Sequence, residues 1–269
     1  MAQGQLRKML AGTDPAAGGP VRYALRVGEA HVDLAPFIGK EFTLRHTGRM
    51  TCVNCGRAVK KFFGQGFCYP CFSTAPEAAE CIVRPELCRA HLGEGRDPAW
   101  EAAHHAQEHV VYLSQTGGVK VGVTRSTQVP VRWIDQGAVA ALVIARVPYR
   151  QLAGLIEVAL KSVFADRTNW RAMLTEVRPE PERLLAARAQ ALAALTLELG
   201  AYSLDDQQPL VLAYPVEHMP PKVTSVGLEK VPVISGRLAG AKGQYLIWSD
   251  GRVFNVRNNA GYHVEVEGS

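Results

Sequence analysis

The sequence predicts an α+β protein: β-rich modules at both ends, zinc knuckles towards the front and a small α/β core between them. Three observations carry this. Short alternating apolar and polar runs broken by Gly and Pro fill 21–50 and return after 223, the period of half-buried strands. In the middle, 149–164 and about 180–199 space apolar residues three and four apart, the period of helices. Between these regions, six cysteines fall within positions 52 to 88.

Taken in order, residues 1–20 hold Gly, Pro, Ala and Asp without periodicity, and a loose arm is expected. VRYALRV, HVDL and EFTLRH make 21–50 a β-rich module, and the zinc-binding region spans 51–108. The core is expected over 109–200. Val110–Leu113 and Val119–Thr124 flank Gly117-Gly118, which supplies the positive φ of a tight hairpin. Trp133 to Gly137 reads as a helix end with Gly137 in the left-handed position beyond it. After a strand come a helix over 149–164 and a longer one from Glu180 to Leu199, with Pro179 and Pro181 near its start. Residues 201–269 form the second β-rich module, entered through a linker-like passage.

The N-terminus lacks the apolar region of a secretory signal, and Val139–Val147 is about half the ~20 residues of a membrane span. A soluble, cytoplasmic protein is expected, with no membrane partner. In a reducing compartment, clustered cysteines point to metal or catalysis rather than disulfides.

Cys52-x2-Cys55-x12-Cys68-x2-Cys71 sets two Cys-x-x-Cys knuckles at the spacing that completes a tetrahedral zinc site. Four thiolates leave no open position for water, so that zinc is expected to be structural. Cys81, Cys88 and His91 suggest a second zinc that needs a fourth ligand, and the His-rich run 104–109 offers His104, His105 and His109, with His105 preferred. The alternative is that Cys81 and Cys88 are small core residues and the histidines solvated. Two zinc-enzyme motifs fail. Trp100-Glu101-Ala102-Ala103-His104 lacks the first histidine of H-E-x-x-H, and Pro70-Cys71 has no second cysteine three residues on.

The net charge of +5 is too weak to identify a polyanion partner by itself. It is unevenly spread, however. Residues 1–75 carry ten basic and four acidic side chains, which leaves the remainder near neutral. Arg45, Arg49, Arg57, Lys60 and Lys61 are interleaved with Phe62, Phe63, Phe67, Tyr69 and Phe72. Basic groups beside aromatics suit a nucleic-acid surface that holds phosphates and stacks bases. The alternative is a solvated rim with the aromatics forming the knuckle's own small core.

The run Val110-Val111-Tyr112-Leu113, then Lys120-Val121-Gly122, then Arg132, Glu157 and Asn169 resembles the GIY-YIG nuclease superfamily. Tyr112 matches the tyrosine of the first motif and Gly122 the glycine of the second. Val110 stands where the first motif has glycine, and Lys120 where the second has its tyrosine. The resemblance covers about 109–175. It implies a strand–strand–helix–strand–helix core with a catalytic set of Tyr112, Lys120, Arg132 and Glu157. Glu157 would hold Mg or Mn, Arg132 would clamp phosphate, and Tyr112 would orient or deprotonate water. Lys120 would hold phosphate or lower a neighbour's pKa. With the knuckles, KVGVTR, VRWIDQGA, DRTNW and AKGQYLI are similar to a bacterial and archaeal family of uncharacterised zinc-knuckle proteins over most of 25–265.

The function expected is a zinc-containing protein that processes DNA or RNA, with a divalent-metal-dependent endonuclease as its active form. The alternative is an inactive, zinc-stabilised nucleic-acid-binding protein.

Overall fold

Strand formation begins at Ala2, where the sequence leads one to expect a loose arm. The computed structural model describes residues 1–13, 19–175 and 177–268. Its strands are β1 (Ala2–Gly12), β2 (Arg22–Val27), β3 (Ala30–Asp33), β4 (Glu41–Met50), β5 (His109–Gln115), β6 (Val119–Arg125), β7 (Ala140–Val147), β8 (Leu210–Val211), β9 (Thr224–Val226), β10 (Val233–Lys242), β11 (Tyr245–Trp248), β12 (Arg252–Asn255) and β13 (Tyr262–Gly268). Its helices are α1 (Tyr69–Thr74), α2 (Pro98–His104), α3 (Val131–Asp135), α4 (Arg150–Leu160), α5 (Trp170–Met173), α6 (Pro181–Ala194) and α7 (Leu197–Gly200). No helix among the described residues is long and apolar enough to cross a membrane.

The chain divides into two compact units, Met1–Ser73 with Leu174–Glu176 and Ala213–Ser269, and Thr74–Met173 with Val177–Leu212. The N- and C-terminal β-rich stretches belong to one unit, and residues 51–108 are divided between the two.

The first unit holds a nine-stranded sheet in the order β3-β2-β1-β13-β4-β10-β11-β12-β9. β1 lies between β13 and β2, with Ala2 opposite Val266 and Leu6 opposite Val27. A register shift between Arg7 and Leu10 explains why the arm looks aperiodic: Leu6 and Met9, an odd number of residues apart, are both buried. Asp14 to Gly18 of the expected arm lie outside the described residues. Phe42, Leu44, Trp248 and Phe254 complete the core, each contributing ~1.5–3 kcal/mol by burial. The Trp248 indole N–H donates to the Phe42 carbonyl at 3.3 Å, so its one polar atom is satisfied.

The second unit holds a four-stranded sheet, β6-β5-β7-β8, antiparallel throughout. β5 is central and buried at every residue. The β5–β6 hairpin forms where expected, with Gly117 at φ 115° and Thr116 N–H donating to the Gly118 carbonyl at 3.1 Å. α4 buries Leu152, Ala153, Ile156 and Leu160 in one cluster with Val111, Leu113, Leu142 and Ile144 of the sheet. α6 adds Leu184, Ala187 and Ala191. The long helix expected to Leu199 instead stops at Ala194. Thr196 restarts the chain as α7, its hydroxyl accepting from the Leu199 N–H at 3.4 Å.

Candidate metal centres and a polar cavity

In the first unit, Cys52, Cys55, Cys68 and Cys71 bring their sulfurs within 4.8 Å of one another. The tight turn after the first knuckle needs Gly56 at φ 72°, and Gly56 N–H closes it on the Cys52 carbonyl at 3.0 Å. Cys55 Sγ and Cys68 Sγ are 3.7 Å apart, the edge of a tetrahedron with metal–sulfur bonds of ~2.3 Å. Burial raises the Cys52 thiol, but backbone N–H groups of Cys55, Cys68 and Asn54 overcome this and pull it down to about 6. Hydrogen bonding with Cys68 pushes Cys71 the other way, to about 12. The donor set fits a closed, thiolate-bound metal.

A second cluster lies in the other unit. Cys81, Cys88, Glu101 and His105 place a sulfur, nitrogen or oxygen each within 4.8 Å of the others. It takes in Glu101, and His91 of the expected set is not part of it. The His91 ring, in the 3-10 turn Ala90–Leu92, stacks on Tyr149 at 4.3 Å and 6°. Asp97 caps α2 through the N–H groups of Ala99 and Trp100, and the helix delivers Glu101 beside His105. Gly95 leaves the space that the Glu101 side chain fills. Glu101 and His105 are 2% and 3% exposed. A carboxylate that deep needs a cation or a full set of donors. The hydrogen bond between Cys81 and Cys88 draws the Cys88 thiol down to about 4 and forces that of Cys81 upward.

Beside α4 in the same unit, a cavity of about 560 Å³ is lined by Tyr112, Lys120, Arg132 and Glu157, the four residues grouped by the GIY-YIG resemblance. Each comes from a different element, β5, β6, α3 and α4. The Tyr112 hydroxyl donates to Gln136 Oε1 at 2.9 Å, and burial raises its pKa despite the Arg132 charge. Burial, with Arg132 beside it, depresses Lys120 to about 8, against the pull of Glu157 and Asp166. Burial raises Glu157, while Lys161 and Lys120 oppose the rise. Asn169 is occupied elsewhere: its side-chain oxygen caps α5, accepting from Arg171 and Ala172 N–H at 3.1 and 3.2 Å.

Arg150, seven positions before Glu157 and so on the same helical face, also lines the cavity; the residues that sequence reasoning missed are those of the segment Ile82–Glu86, which forms part of the wall. Arg150 donates from Nε to the Cys81 carbonyl at 3.1 Å and from a terminal nitrogen to that of Ile82 at 3.0 Å.

Arg45, Arg49, Arg57, Lys60 and Lys61 are all exposed. Arg45 sits 3.9 Å from Glu265, and Lys61 lies over the Phe63 ring at 5.4 Å. The aromatics divide. Phe62 packs edge-on against Tyr262, whereas Phe63 contacts Tyr69 and Phe72, which are 61% and 39% exposed.

No curated protein and no solved structure matches the chain. A family model matches residues 39–264, and the chain belongs to the family it describes, "Protein of unknown function (DUF2797)".

Proposed function

We propose that the protein is a zinc-containing, divalent-metal-dependent phosphodiesterase acting on nucleic acid, with its reaction site in the cavity beside α4. The observation that carries this reading is the meeting of Tyr112, Lys120, Arg132 and Glu157 at one cavity from four separate elements. The hairpin, helix, strand and helix that deliver them follow the order the GIY-YIG resemblance implies. Zinc suits the four cysteines by ligand softness and is structural there.

Arg132 presents a planar donor fork to a phosphodiester, and Arg150, with its Nε and one terminal nitrogen held by the Cys81 and Ile82 carbonyls, adds positive charge to the cavity. Glu157 would hold Mg²⁺ or Mn²⁺, and that ion would neutralise charge developing on the phosphoryl oxygens. Tyr112, buried and bonded to Gln136, stays protonated at neutral pH and orients the attacking water. Lys120, brought down to about 8, takes the water proton as its neutral amine. The water oxygen bonds to phosphorus, the opposite P–O bond breaks, and the leaving oxygen is protonated from solvent.

The second reading is a nucleic-acid-binding protein that does not cut. It is supported by the exposed Tyr69 and Phe72 beside Phe63 and Lys61, a stacking platform with a phosphate-binding charge. Incubation with labelled single- and double-stranded DNA and RNA, with Mg²⁺ or Mn²⁺, separates the two. The first reading expects cleavage that Arg132→Ala and Glu157→Ala abolish with zinc retained. Salt-sensitive binding with no cleavage across that panel supports the second, and absence of binding at low salt removes both.

A further inference from the structure

We infer that the Cys81–Cys88–Glu101–His105 cluster is a metal-operated positioning device for the cavity: its metal fixes one wall and the start of α4, so occupancy controls whether the site is assembled. This rests on the cavity reading above for what the site does, but not for the mechanical link itself.

Three connections make that link. Cys81 and Cys88 bracket Ile82 to Glu86, all five of which line the cavity. Closing two thiolates on one ion therefore pins both ends of that wall. Next, the carbonyls of Cys81 and Ile82 hold the Arg150 guanidinium from the ligand segment itself. Finally, no side chain caps α4, and the Arg150 N–H donates instead to the carbonyl of the ligand His105 at 3.0 Å. The first turn of the helix carrying Glu157 is thus terminated by a metal ligand. Gly154 completes the fit, because a Cβ there would collide with the backbone of Pro85 and Glu86.

Apart from these contacts with α4, the segment has no regular element of its own to hold it. Residues 76–92 form four 3-10 turns and no longer element, and Val83 and Leu87 are exposed. Short turns of this kind order when a metal closes them. Two thiolates, an imidazole and a carboxylate select zinc among the common divalent ions. With a carboxylate and an imidazole in place of two thiolates, this site should give up zinc before the four-cysteine site does.

The test uses the full-length, zinc-replete protein, with zinc content and amide hydrogen exchange read together. Glu101→Ala should lower zinc by about one equivalent per chain and speed exchange of 82–88 and 150–157 about tenfold or more. Exchange in the four-cysteine knuckle should not change, and Glu101→Cys should restore both readings. If Glu101→Ala fails to fold, stepwise chelation of the wild type followed by Zn²⁺ alone gives the same comparison, with protection of both segments lost and regained. Full zinc content in Glu101→Ala overturns the site. Loss of one zinc with unchanged exchange in 82–88 and 150–157 overturns the positioning role. Neither reading depends on cleavage, so a zinc-replete wild type that cuts nothing counts against the phosphodiesterase proposal alone.

Discussion

Tyr112 and Gly122 face each other across the β5–β6 ladder, and the tyrosine ring occupies the space a side chain at 122 would need. A Cβ on Gly122 would lie 2.7 Å from both Cζ and the hydroxyl oxygen. Gly122→Ala must push a fully buried ring off its hydrogen bond with Gln136, at a cost of about 1–3 kcal/mol in urea unfolding. Gly118→Ala is the control, since a Cβ there meets nothing within 4 Å. Equal stability of the two variants would refute the account of the pair.

Lys120 makes stability depend on alkaline pH in a defined direction. The buried ammonium titrates near 8 when folded and near 10.5 when unfolded. Below about 8, folding carries the whole cost of burying the charge, about 3 kcal/mol from 1.36 kcal/mol per pKa unit. Between those values the unfolded chain binds more protons, so stability rises with pH. Lys120→Met lacks the group. Its stability advantage over wild type should be greatest below pH 8 and vanish above 10.5. Burial lowers Lys242 to about 8 as well, but its effect cancels in this comparison. A pH-independent difference would show that Lys120 is not held in this way.

Loss of the four-cysteine metal should be costly. Cys55→Ser removes one corner of a cluster that organises both knuckles, and ~4 kcal/mol or more is expected, as for other lost structural metals. Zinc analysis should fall by one equivalent while exchange in 82–88 stays as in wild type. A variant with unchanged zinc and thermal midpoint would contradict the assignment.

Gly154→Ala probes the wall without touching a ligand. The added methyl meets the backbone of Pro85 and Glu86, which cannot rotate away. A loss of about 1–3 kcal/mol is expected, with faster exchange over 82–87 and zinc retained. Unchanged exchange would mean that helix and wall are not in contact as described.

Legibility followed locality. The knuckle spacing, the hairpin and the helical period of 149–164 are short-range signals, and those elements form there, the helix stopping at Leu160. The place of β1 was not legible, because a register shift breaks its alternation and its partner β13 lies at the far end of the chain. Glu101 was hidden for a different reason. A carboxylate has no knuckle spacing, whereas His91, three residues after Cys88, does, yet its turn directs the ring onto Tyr149. The cavity set was named from a resemblance rather than from periodicity. What sequence could not show is that the cysteine window divides between two units, the second cluster sharing its unit with the cavity.

Whether the cavity cleaves phosphodiesters is decided by single-turnover cleavage by wild type and Glu157→Gln, with substrate binding measured in parallel. The expected result is Mg²⁺- or Mn²⁺-dependent cleavage whose rate rises with pH through about 8 as Lys120 loses its proton. Glu157→Gln should lose at least ~100-fold in rate while still binding substrate. Cleavage at the wild-type rate by Glu157→Gln would contradict it.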